Sequence, residues 1–474
     1  MVSTTDNPRP PAGADVQSRS RIPCVAVGSG LRAVFPATFT DAQRHWAHAH
    51  QFKGERHQVL AHANPLTGAI SEVWVGVGEA DGFESCEAEF FRALSDKLPP
   101  GQYCLSPDAL SAEQATQALI AFEMGRYRYA RYKSEGPKDV SLALNRADLA
   151  AVSTMVSATT VARDLINTPA EDCGPEQLCE AVKRLLLDHP GVVREWVGED
   201  LIHDGFRLIH AVGRAASQPP RLIEVQFERD PRAPWISVVG KGVCFDTGGL
   251  DMKTSAGMAL MKKDMGGAAV SIGLAHWILR TALPVNLQLI IPAVINAVGA
   301  DSVRPSDVIR SKQGTHVEIT NTDAEGRLVL AEGLALVRPD AQLILDMATL
   351  TGAARVALGP EVPAVFCHPQ TLWPELQTCA HAVGESLWQL PLVESYRDDL
   401  KSKIADLVNS ASHSFAGAIM GALFLQHFIP KGKDWVHIDL YGWNPKDRPG
   451  YPVGAEAHAL KSVAAWLKHR FGKH

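Results

Sequence analysis

Short apolar strands alternate with helical stretches through the last two-thirds of the chain, and this alternation limits the fold more than any other feature. The predicted strands, rich in β-branched residues, are 235–239, 287–291, 317–319, 343–345 and 436–438. The stretches with helical length and high Ala and Leu content are 266–280, 324–337, 416–428 and 455–470. Such alternation favours an α/β/α fold, in which helices cover both faces of a mixed, largely parallel sheet. In such sheets the functional site lies at the carboxyl ends of the strands.

The length of the chain, 474 residues, is too great for one ordinary hydrophobic core and predicts two domains. Residues 1–20 are polar and are predicted to form a disordered tail. Residues 21–150 combine buried strands at 24–27 and 73–77 with a helix at 112–133, which predicts a smaller N-terminal α/β domain. A polar Gly-Pro segment at 134–139 suits an interdomain linker, and residues 151–474 would form the larger C-terminal domain.

The composition is that of a soluble globular protein, with 46% hydrophobic and 21% charged residues. A net charge of -6 provides no overall basic field for nucleic acid or anionic lipid. The tail lacks the apolar core of a signal peptide, and the longest apolar run, 285–300, contains polar residues that argue against a membrane span. Eight scattered cysteines without a CxxC pair suit reduced thiols. We therefore expect a cytoplasmic protein with no membrane or nucleic-acid partner.

Charged side chains cluster on glycine-rich loops near the ends of predicted strands. They are Lys241, Asp246, Lys253, Asp264, Asp323, Glu325 and Arg327. Taken singly, each carboxylate could cap a turn or a helix, and each lysine could be solvated. Lys241 and Asp246, however, lie among apolar residues and glycines, where charged groups are seldom buried unless they are paired or bind a metal. Clustered oxygen donors suit one or two divalent cations, and a lysine nitrogen favours zinc, manganese or cobalt.

Several motifs resemble, in order and spacing, those of the leucyl aminopeptidase (cytosol aminopeptidase) family. They are Lys-Gly-x-x-Phe-Asp-x-Gly-Gly at 241–249, Lys253, Asp-Met-Gly-Gly-Ala-Ala at 264–269, Asn-Thr-Asp-Ala-Glu-Gly-Arg at 321–327, Ala-Thr-Leu-Thr-Gly-Ala at 348–353, Ile-Ala-Asp at 404–406 and Trp-Val-His-Ile-Asp at 435–439. The likeness covers the chain from about residue 160 to its end, and the run 321–328 is highly specific. The resemblance implies a catalytic C-terminal domain and an N-terminal domain with an oligomeric or regulatory role.

By this resemblance, two divalent metal ions, zinc or manganese, are held by one nitrogen and four carboxylate ligands. These ligands are Lys241, Asp246, Asp264, Asp323 and Glu325. Asp246 and Glu325 would bridge the ions, Asp323 would bind one of them, and Lys241 with Asp264 would bind the other. Lysine ligates only as the neutral amine, and a nearby dication supplies the necessary lowering of its pKa from about 10.4.

The resemblance also implies the reaction and two catalytic residues. A metal-bridging hydroxide would attack the first peptide bond, so we expect hydrolysis of N-terminal residues from short peptides and aminoacyl amides. Lys253 would bind the carbonyl oxygen on which negative charge develops. Arg327, with backbone amides at the start of the following helix, would bind a bicarbonate ion that shuttles the proton. A salt bridge from Arg327 to one of the carboxylates is the structural alternative.

The pocket for the first side chain is expected to comprise Met261, Thr349, Leu350, Thr351, Gly352, Tyr441 and Asn444. Core packing is the alternative for Met261, since methionine fills gaps in many cores. Tyr441 and Asn444 stand where common family members have smaller or apolar residues, which predicts a preference other than plain leucine. His437 and Asp439 alternate on a predicted strand and could mimic a metal pair, but we interpret them as structural because the ligand set is complete without them.

Two other functions compete with this one. Gly240-Lys241-Gly242 after a strand resembles the start of a dinucleotide-binding turn, but Phe245 stands where the third glycine is required. The second alternative is a hexameric regulatory or DNA-binding protein of the same family, with secondary or no peptidase activity. The acidic balance and the complete set of site residues argue against it. As the resemblance implies, we expect a homo-hexamer.

Overall fold

The computed structural model describes residues 21–29, 35–64, 66–105, 109–133, 136 and 138–472. Within these residues the chain forms one sheet of five strands, one of nine strands and two small sheets. This confirms the predicted class, a smaller N-terminal α/β domain followed by a larger C-terminal α/β/α domain. The predicted tail, residues 1–20, lies outside the described residues.

The N-terminal sheet consists of β1 (Ile22–Gly28), β2 (Val59–Ala63), β3 (Ile70–Gly78), β4 (Gly101–Cys104) and β5 (Val140–Ala143). Its order is β2-β3-β1-β4-β5, and only the β2–β3 pair is antiparallel. The accompanying helices are α1 (Asp41–Ala49), α2 (Ala88–Lys97) and α3 (Ala112–Arg126), with a 3-10 helix at Phe83–Ser85. Because β5 completes this sheet, the segment 134–139 precedes the last strand of the first domain and does not link the two domains.

The strands of the C-terminal domain are β6 (Val192–Val197), β7 (Arg221–Phe227), β8 (Trp235–Gly240), β9 (Gly242–Asp246), β10 (Asn286–Asn296), β11 (Val308–Arg310), β12 (His316–Glu318), β13 (Ala341–Ala348), β14 (Ala364–His368), β15 (Trp388–Gln389), β16 (Leu407–Val408), β17 (Asp434–Asp439), β18 (Trp443–Asn444) and β19 (Gly454–Ala455). The large sheet has the order β15-β14-β17-β13-β8-β10-β7-β6, and β9 also pairs with β10. Its central strands β17, β13, β8 and β10 are parallel, whereas β14, β7 and β6 join in antiparallel pairs. The predicted strand at 317–319 lies instead in the small β11-β12-β16 sheet.

The helices of this domain are α4 (Leu149–Asn167), α5 (Pro175–Arg184), α6 (Asp200–His203), α7 (Arg207–Gly213), α8 (Ser255–Met258), α9 (Gly266–Arg280), α10 (Glu325–Leu334), α11 (Gly352–Leu358), α12 (Trp373–Ala382), α13 (Gly417–Gln426) and α14 (Leu460–Phe471). Short 3-10 helices occur at Leu185–Leu187, Met261–Met265, Gln370–Leu372 and Glu394–Leu400. All four predicted helices are present as α9, α10, α13 and α14. The last begins five residues later than predicted because Ala455 pairs with Trp443 in the β18–β19 sheet.

Helices cover both faces of the large sheet, as its continuous apolar strands require. Successive residues of β13 alternate between two cores: Leu343 and Leu345 pack on the side that holds α9, and Ile344 packs on the side that holds α10. The first core continues without interruption into the N-terminal domain, where it includes Phe90 and Phe122. The two domains therefore share apolar packing.

One helix, α4, is long and apolar enough to cross a membrane by length and composition alone. It packs against α3 and α9, and its Arg163 side chain is buried. That guanidinium donates to the carbonyl oxygens of Met124 and Ala455 at 2.9 and 3.0 Å. The buried guanidinium thus has hydrogen-bond acceptors in both domains. We therefore assign α4 to the packed core at the domain junction. The junction between β5 and α4 lies at residues 144–148, just before the predicted boundary.

A buried ion pair joins α2 to the C-terminal domain. Arg92, only 2% exposed, donates to Glu456 Oε2 at 2.5 Å and to the Gly450 carbonyl at 3.0 Å. Its guanidinium carbon lies 3.6 Å from the ring centroid of Tyr451. Burial by itself would raise the pKa of Glu456, but the attraction of Arg92 and Arg163 outweighs burial and lowers the pKa to about 2. The two charges therefore hold each other at the interface.

Replacing Glu456 with glutamine should reduce the free energy of unfolding by about 3–5 kcal/mol near neutral pH, because Arg92 is left buried without its counter-ion. The pKa of Glu456 is lowered on folding, so its carboxylate stabilises the fold above the ordinary value of 4.5 and loses that effect as the pH falls towards 2. The difference in melting temperature between wild type and E456Q, measured by calorimetry, should therefore shrink across this acidic range.

The matched control for this experiment is E361Q. Glu361 accepts from Arg448 at 2.8 Å in an exposed ion pair, and its loss should cost less than about 1 kcal/mol. Equal melting temperatures for E456Q and E361Q at neutral pH would contradict the proposed role of the interface pair.

Candidate metal centre and active site

A cavity of about 580 Å³ opens where the central parallel strands end, as the sequence predicts. Lys241 directly follows β8, Asp246 ends β9, Thr349 follows β13 and Asp439 ends β17, and all four line the cavity. The cavity also brings together most of the other predicted site residues, namely Lys253, Met261, Asp264, Asp323, Glu325, Leu350, Thr351, Gly352 and Tyr441.

Local backbone geometry carries these side chains to the cavity. Asp246 is followed by a turn in which Gly248 has a φ of +89°, and the Gly248 amide donates to Asp246 Oδ1 at 2.8 Å. Such a positive φ favours glycine. Glu325 is the first residue of α10, and a Cβ atom on the following Gly326 would lie 2.5 Å from Lys241 Cε. Glycine at that position leaves room for the Lys241 side chain.

Two lysines divide the four carboxylates into two groups. Lys241 Nζ lies 2.6 Å from Asp264 Oδ2 and 3.0 Å from Glu325 Oε1, and it donates to the Thr349 carbonyl at 3.0 Å. Lys253 Nζ lies 2.7 Å from Asp246 Oδ2 and also pairs with Asp323. The side chains of Lys241, Asp246, Asp264 and Glu325 are at most 4% exposed, whereas that of Asp323 is 34% exposed.

The two lysines do not neutralise the four carboxylates. Burial, reinforced by Asp246, raises the pKa of Glu325 to about 8 and that of Asp323 to about 6. Burial would lower the pKa of Lys241, but the carboxylates of Asp264, Glu325 and Asp246 outweigh it and raise that pKa above its usual range. The cavity thus holds an excess of negative charge that a further cation would relieve.

The donor set fits divalent cations. Carboxylate oxygens of Asp246, Asp323 and Glu325 lie within 4.8 Å of one another, close enough to share an ion. Asp264 Oδ2 is buried, and its partner among the described residues is the Lys241 ammonium at 2.6 Å. Two lysine ammonium groups already stand among these oxygens as cations. The alternative in which Asp264 caps a helix is not observed, because Met265 is the N-cap of α9 and no side chain caps that end.

Arg327 lies beside this cluster but is not among the described residues that line the cavity. Its Nη1 donates to the Asn409 carbonyl at 2.8 Å, and its buried Nε has no hydrogen-bond partner among the described residues. Burial lowers the pKa of Arg327 to about 10, despite the opposing effect of Glu325 and Asp439. The salt bridge considered as a structural alternative is absent from the described part of the chain. A buried guanidinium without a carboxylate partner suits an anion.

The predicted pocket residues meet on one side of the cavity. Asp439 holds the loop after β13: its Oδ1 accepts from the amides of Leu350 and Thr351 at 2.8 and 3.2 Å, and its Oδ2 accepts from the Thr351 hydroxyl at 2.6 Å. Thr349 in turn donates to Asp264 Oδ1 at 2.8 Å. Met261 is half-buried and faces the cavity, which does not match the core-packing alternative.

Asn444 does not reach this pocket. It is 4% exposed, lies in β18 and is not among the described residues that line the cavity. Its amide nitrogen donates to the carbonyls of Lys446, Tyr451 and Pro452 at 2.8, 2.8 and 2.9 Å. The structure therefore does not support the predicted contact with the first side chain, because these bonds commit the amide to the loop between β18 and β19.

His437 and Asp439 have separate structural surroundings. His437 is fully buried, and its Nδ1 lies 2.5 Å from Asp346 Oδ1, while Trp435 donates to the other oxygen of that carboxylate at 2.6 Å. Within the described residues, the group with metal-ligand spacing does not include either His437 or Asp439. This agrees with their structural interpretation, although Asp439 also borders the cavity.

Three residues near the site were not predicted. Asn296, at the end of β10, donates from Nδ2 to Asp246 Oδ1 at 2.8 Å and to the Thr322 carbonyl at 3.1 Å, and so orients a proposed ligand. Its position at the carboxyl end of an apolar strand, where functional sites lie in such sheets, could have indicated a role at the site. Lys263 and Arg355 also line the cavity. No sequence pattern marks them, since each lies among residues typical of an ordinary helix.

Comparison with known proteins agrees with this geometry. The cytosol aminopeptidase family, catalytic domain, matches residues 160–463, and the M17 aminopeptidase, N-terminal domain, matches residues 33–145. A probable cytosol aminopeptidase of Syntrophotalea carbinolica is 37% identical over 383 residues, which cover 77% of each chain.

Solved structures extend the similarity to almost the whole chain. The cytosol aminopeptidase of Coxiella burnetii has a TM-score of 0.89 and 42% sequence identity, covering 96% of this chain and 98% of that one. The bottromycin maturation enzyme BotP in complex with Mn has a TM-score of 0.84 and 30% identity, covering 96% of this chain and 100% of that one. The chain belongs to the cytosol aminopeptidase family.

Proposed function

We propose that this protein is an aminopeptidase of the leucyl aminopeptidase type that uses two divalent metal ions to remove N-terminal residues from short peptides and aminoacyl amides. The observation that carries the proposal is the cluster of Asp246, Asp323 and Glu325 oxygens within 4.8 Å of one another at a cavity of about 580 Å³. A volume of this size is typical of small-ligand sites. Family membership supports aminopeptidase activity.

The ion pairs support the division of ligands between two ions. Lys241 and Asp264 would hold one ion and Asp323 the other, with Asp246 and Glu325 between them. The Lys241 ammonium already contacts Asp264 and Glu325, while the Lys253 ammonium contacts Asp246 and Asp323. When bound, the ions supply Lewis acidity, which lowers the pKa of a water nucleophile and polarises the peptide carbonyl. Zinc and manganese suit the mixed nitrogen and oxygen ligands, and BotP has been solved with Mn.

We assign Lys253 to the carbonyl oxygen of the bond that is cleaved. Its side chain is 16% exposed, compared with 3% for Lys241, and it lines the cavity from a loop outside the strands. An ammonium group aimed at an oxygen that becomes negative stabilises the transition state more than the substrate. A ligand role for Lys241 agrees with its deeper burial between two carboxylates.

Arg327 is proposed to hold a bicarbonate ion that accepts and returns the proton of the reaction. Its buried Nε lacks a hydrogen-bond partner among the described residues, and α10, which contains it, begins at Glu325 beside the proposed ions. An anion there would satisfy the guanidinium. The proposed carboxylate ligands would all be committed to the cations. The bicarbonate ion would therefore take the role of the base in their place.

The remaining assignments extend the family resemblance. We propose that the protein is cytoplasmic and assembles as a homo-hexamer, with an oligomeric or regulatory role for the N-terminal domain, residues 21–150. Residues 151–474 would form the catalytic domain. Sedimentation velocity on the full chain tests the assembly directly.

Removing divalent metal ions should abolish hydrolysis of leucyl-p-nitroanilide, and zinc, manganese or cobalt should restore it. Glu325→Gln should lower the content of both ions, measured by elemental analysis, because Glu325 is proposed to bridge them. The matched control is Glu332→Gln: Glu332 lies in the same helix and is buried, but among the described residues its carboxylate accepts from the amides of Leu208 and Lys312 and not from a site lysine. Full activity in metal-free protein, or equal metal content in the two variants, would contradict the proposal.

The two lysines should respond differently to substitution. Lys253→Ala should retain both ions and lower kcat by about 10²–10³-fold, the usual loss when one donor to a developing oxyanion is removed. Lys241→Ala should weaken one metal site, so excess metal should restore part of its activity. The measurement is metal stoichiometry together with kcat over a metal titration. Rescue of Lys253→Ala by metal, with Lys241→Ala fully loaded, would exchange the two roles.

A further inference from the structure

Lys263 is a buried cation at the cavity that the proposed chemistry does not use. The residue is 6% exposed and lines the cavity next to Asp264. Its Nζ lies 4.7 Å from the ring centroid of Tyr441. It forms no ion pair with any carboxylate in the described part of the chain. A buried ammonium group without a carboxylate is costly, so a negatively charged ligand in the cavity would stabilise it.

Two carboxylates, those of Asp264 and Asp439, attract the Lys263 ammonium electrostatically. Both are engaged elsewhere. Asp264 pairs with Lys241 and accepts from Thr349. Asp439 accepts three hydrogen bonds from the loop after β13, at Leu350 and Thr351. Among the described residues, no oxygen of either carboxylate lies within 4 Å of Lys263 Nζ in an ion pair. Its positive charge is therefore available to a ligand in the cavity.

Arg355 is a second cation at the same ring. It belongs to α11, lines the cavity, and has its guanidinium carbon 5.0 Å from the Tyr441 centroid. Within the described residues it also forms no ion pair. Aromatic rings attract cations but do not neutralise them. Lys263, Tyr441 and Arg355 thus form an electropositive wall, which we call the cationic wall, in a cavity whose two other lysines are paired.

The cationic wall lines the same cavity as residues predicted to contact the first side chain, among them Met261 and Thr349. Asp264, adjacent to Lys263, is a proposed metal ligand that lines the cavity. The side chain of an N-terminal residue leaves the carbon that carries the α-amine. The rest of the peptide must reach solvent. Because Lys263 is only 6% exposed, the first residue, and not the departing chain, would meet it in this binding mode.

We propose that the cationic wall is a carboxylate-binding subsite, which makes peptides that begin with glutamate or aspartate substrates of this enzyme. The inference rests on the proposed aminopeptidase function and specifies its substrate class. The ammonium of Lys263 would donate to the side-chain carboxylate, Arg355 would add a second charge at the rim, and the Tyr441 ring would pack against the methylene groups. This explains how a bulky, polar pocket wall accommodates a first residue other than leucine.

The comparison of glutamyl- with glutaminyl-p-nitroanilide isolates charge, because the two first residues have nearly the same shape. The metal-loaded wild type should show a higher kcat/KM for the glutamyl substrate. Lys263→Met should reduce the ratio of glutamyl to glutaminyl kcat/KM by about 10- to 100-fold, the usual value of a charge-assisted hydrogen bond. Arg355→Met should reduce the ratio in the same direction but less, because Arg355 is exposed.

Lys262→Met is the matched control, since it removes the same charge one residue away. Lys262 donates to the Asn167 carbonyl at 2.6 Å and faces the Trp443 ring. It is not among the described residues that line the cavity. Its ratio should equal that of wild type. A wild type with no preference for the glutamyl substrate, or a ratio unchanged in Lys263→Met, would overturn the inference.

Two further measurements keep the test decisive. Calorimetric titration with free L-glutamate and L-glutamine compares binding without turnover, and glutamate should bind more tightly to wild type than to Lys263→Met. If Lys263→Met does not fold, Arg355→Met and the wild-type ratio decide the matter. Hydrolysis of leucyl-, glutamyl- and glutaminyl-p-nitroanilide separates the two hypotheses. Absence of hydrolysis of all three by metal-loaded protein refutes the proposed function, whereas hydrolysis without a glutamate preference refutes only the cationic wall.

Discussion

The balance between four carboxylates and two lysines is the constraint around which the catalytic domain is arranged. Asp246, Asp264 and Glu325 are buried, and like charges this close would expel one another into solvent if Lys241 and Lys253 did not lie among them. The partners come from separate loops, since Lys253 and Asp323 are 70 residues apart. A sheet whose parallel strands end at one edge brings such loops together.

The sequence predicts those parts of the fold and site that depend on local pattern. Parallel central strands such as β8 and β13 are mostly apolar, because both faces are covered, and helix α9 begins and ends where its composition indicates. The ligand candidates were found for the same reason: each lies on a glycine-containing loop directly after a strand or before a helix. Their pairing is a property of the folded chain and was not available from any one segment.

Features that the local sequence pattern does not show depend on distant contacts. Asn444 has the chemistry of a pocket residue, but its amide is used by carbonyls on the β18–β19 loop, a bond pattern set by how that loop closes. The Gly-Pro segment at 134–139 has the composition of a linker, yet β5 pairs with β4 just after it. The sequence does not mark Lys263 as a site residue, because a lysine in a helical stretch is usually solvated. Only the folded structure shows that it is buried.

The contact between Arg92 and Glu456 joins residues 364 positions apart in the chain. During synthesis, α2 is complete long before the segment that carries Glu456 has been made. The early domain must therefore keep Arg92 hydrated, or its surrounding core open, until the last strands and α14 arrive. For this reason the N-terminal domain is not an independent module added to an enzyme. Its packing around α2 is complete only when the end of the chain is in place.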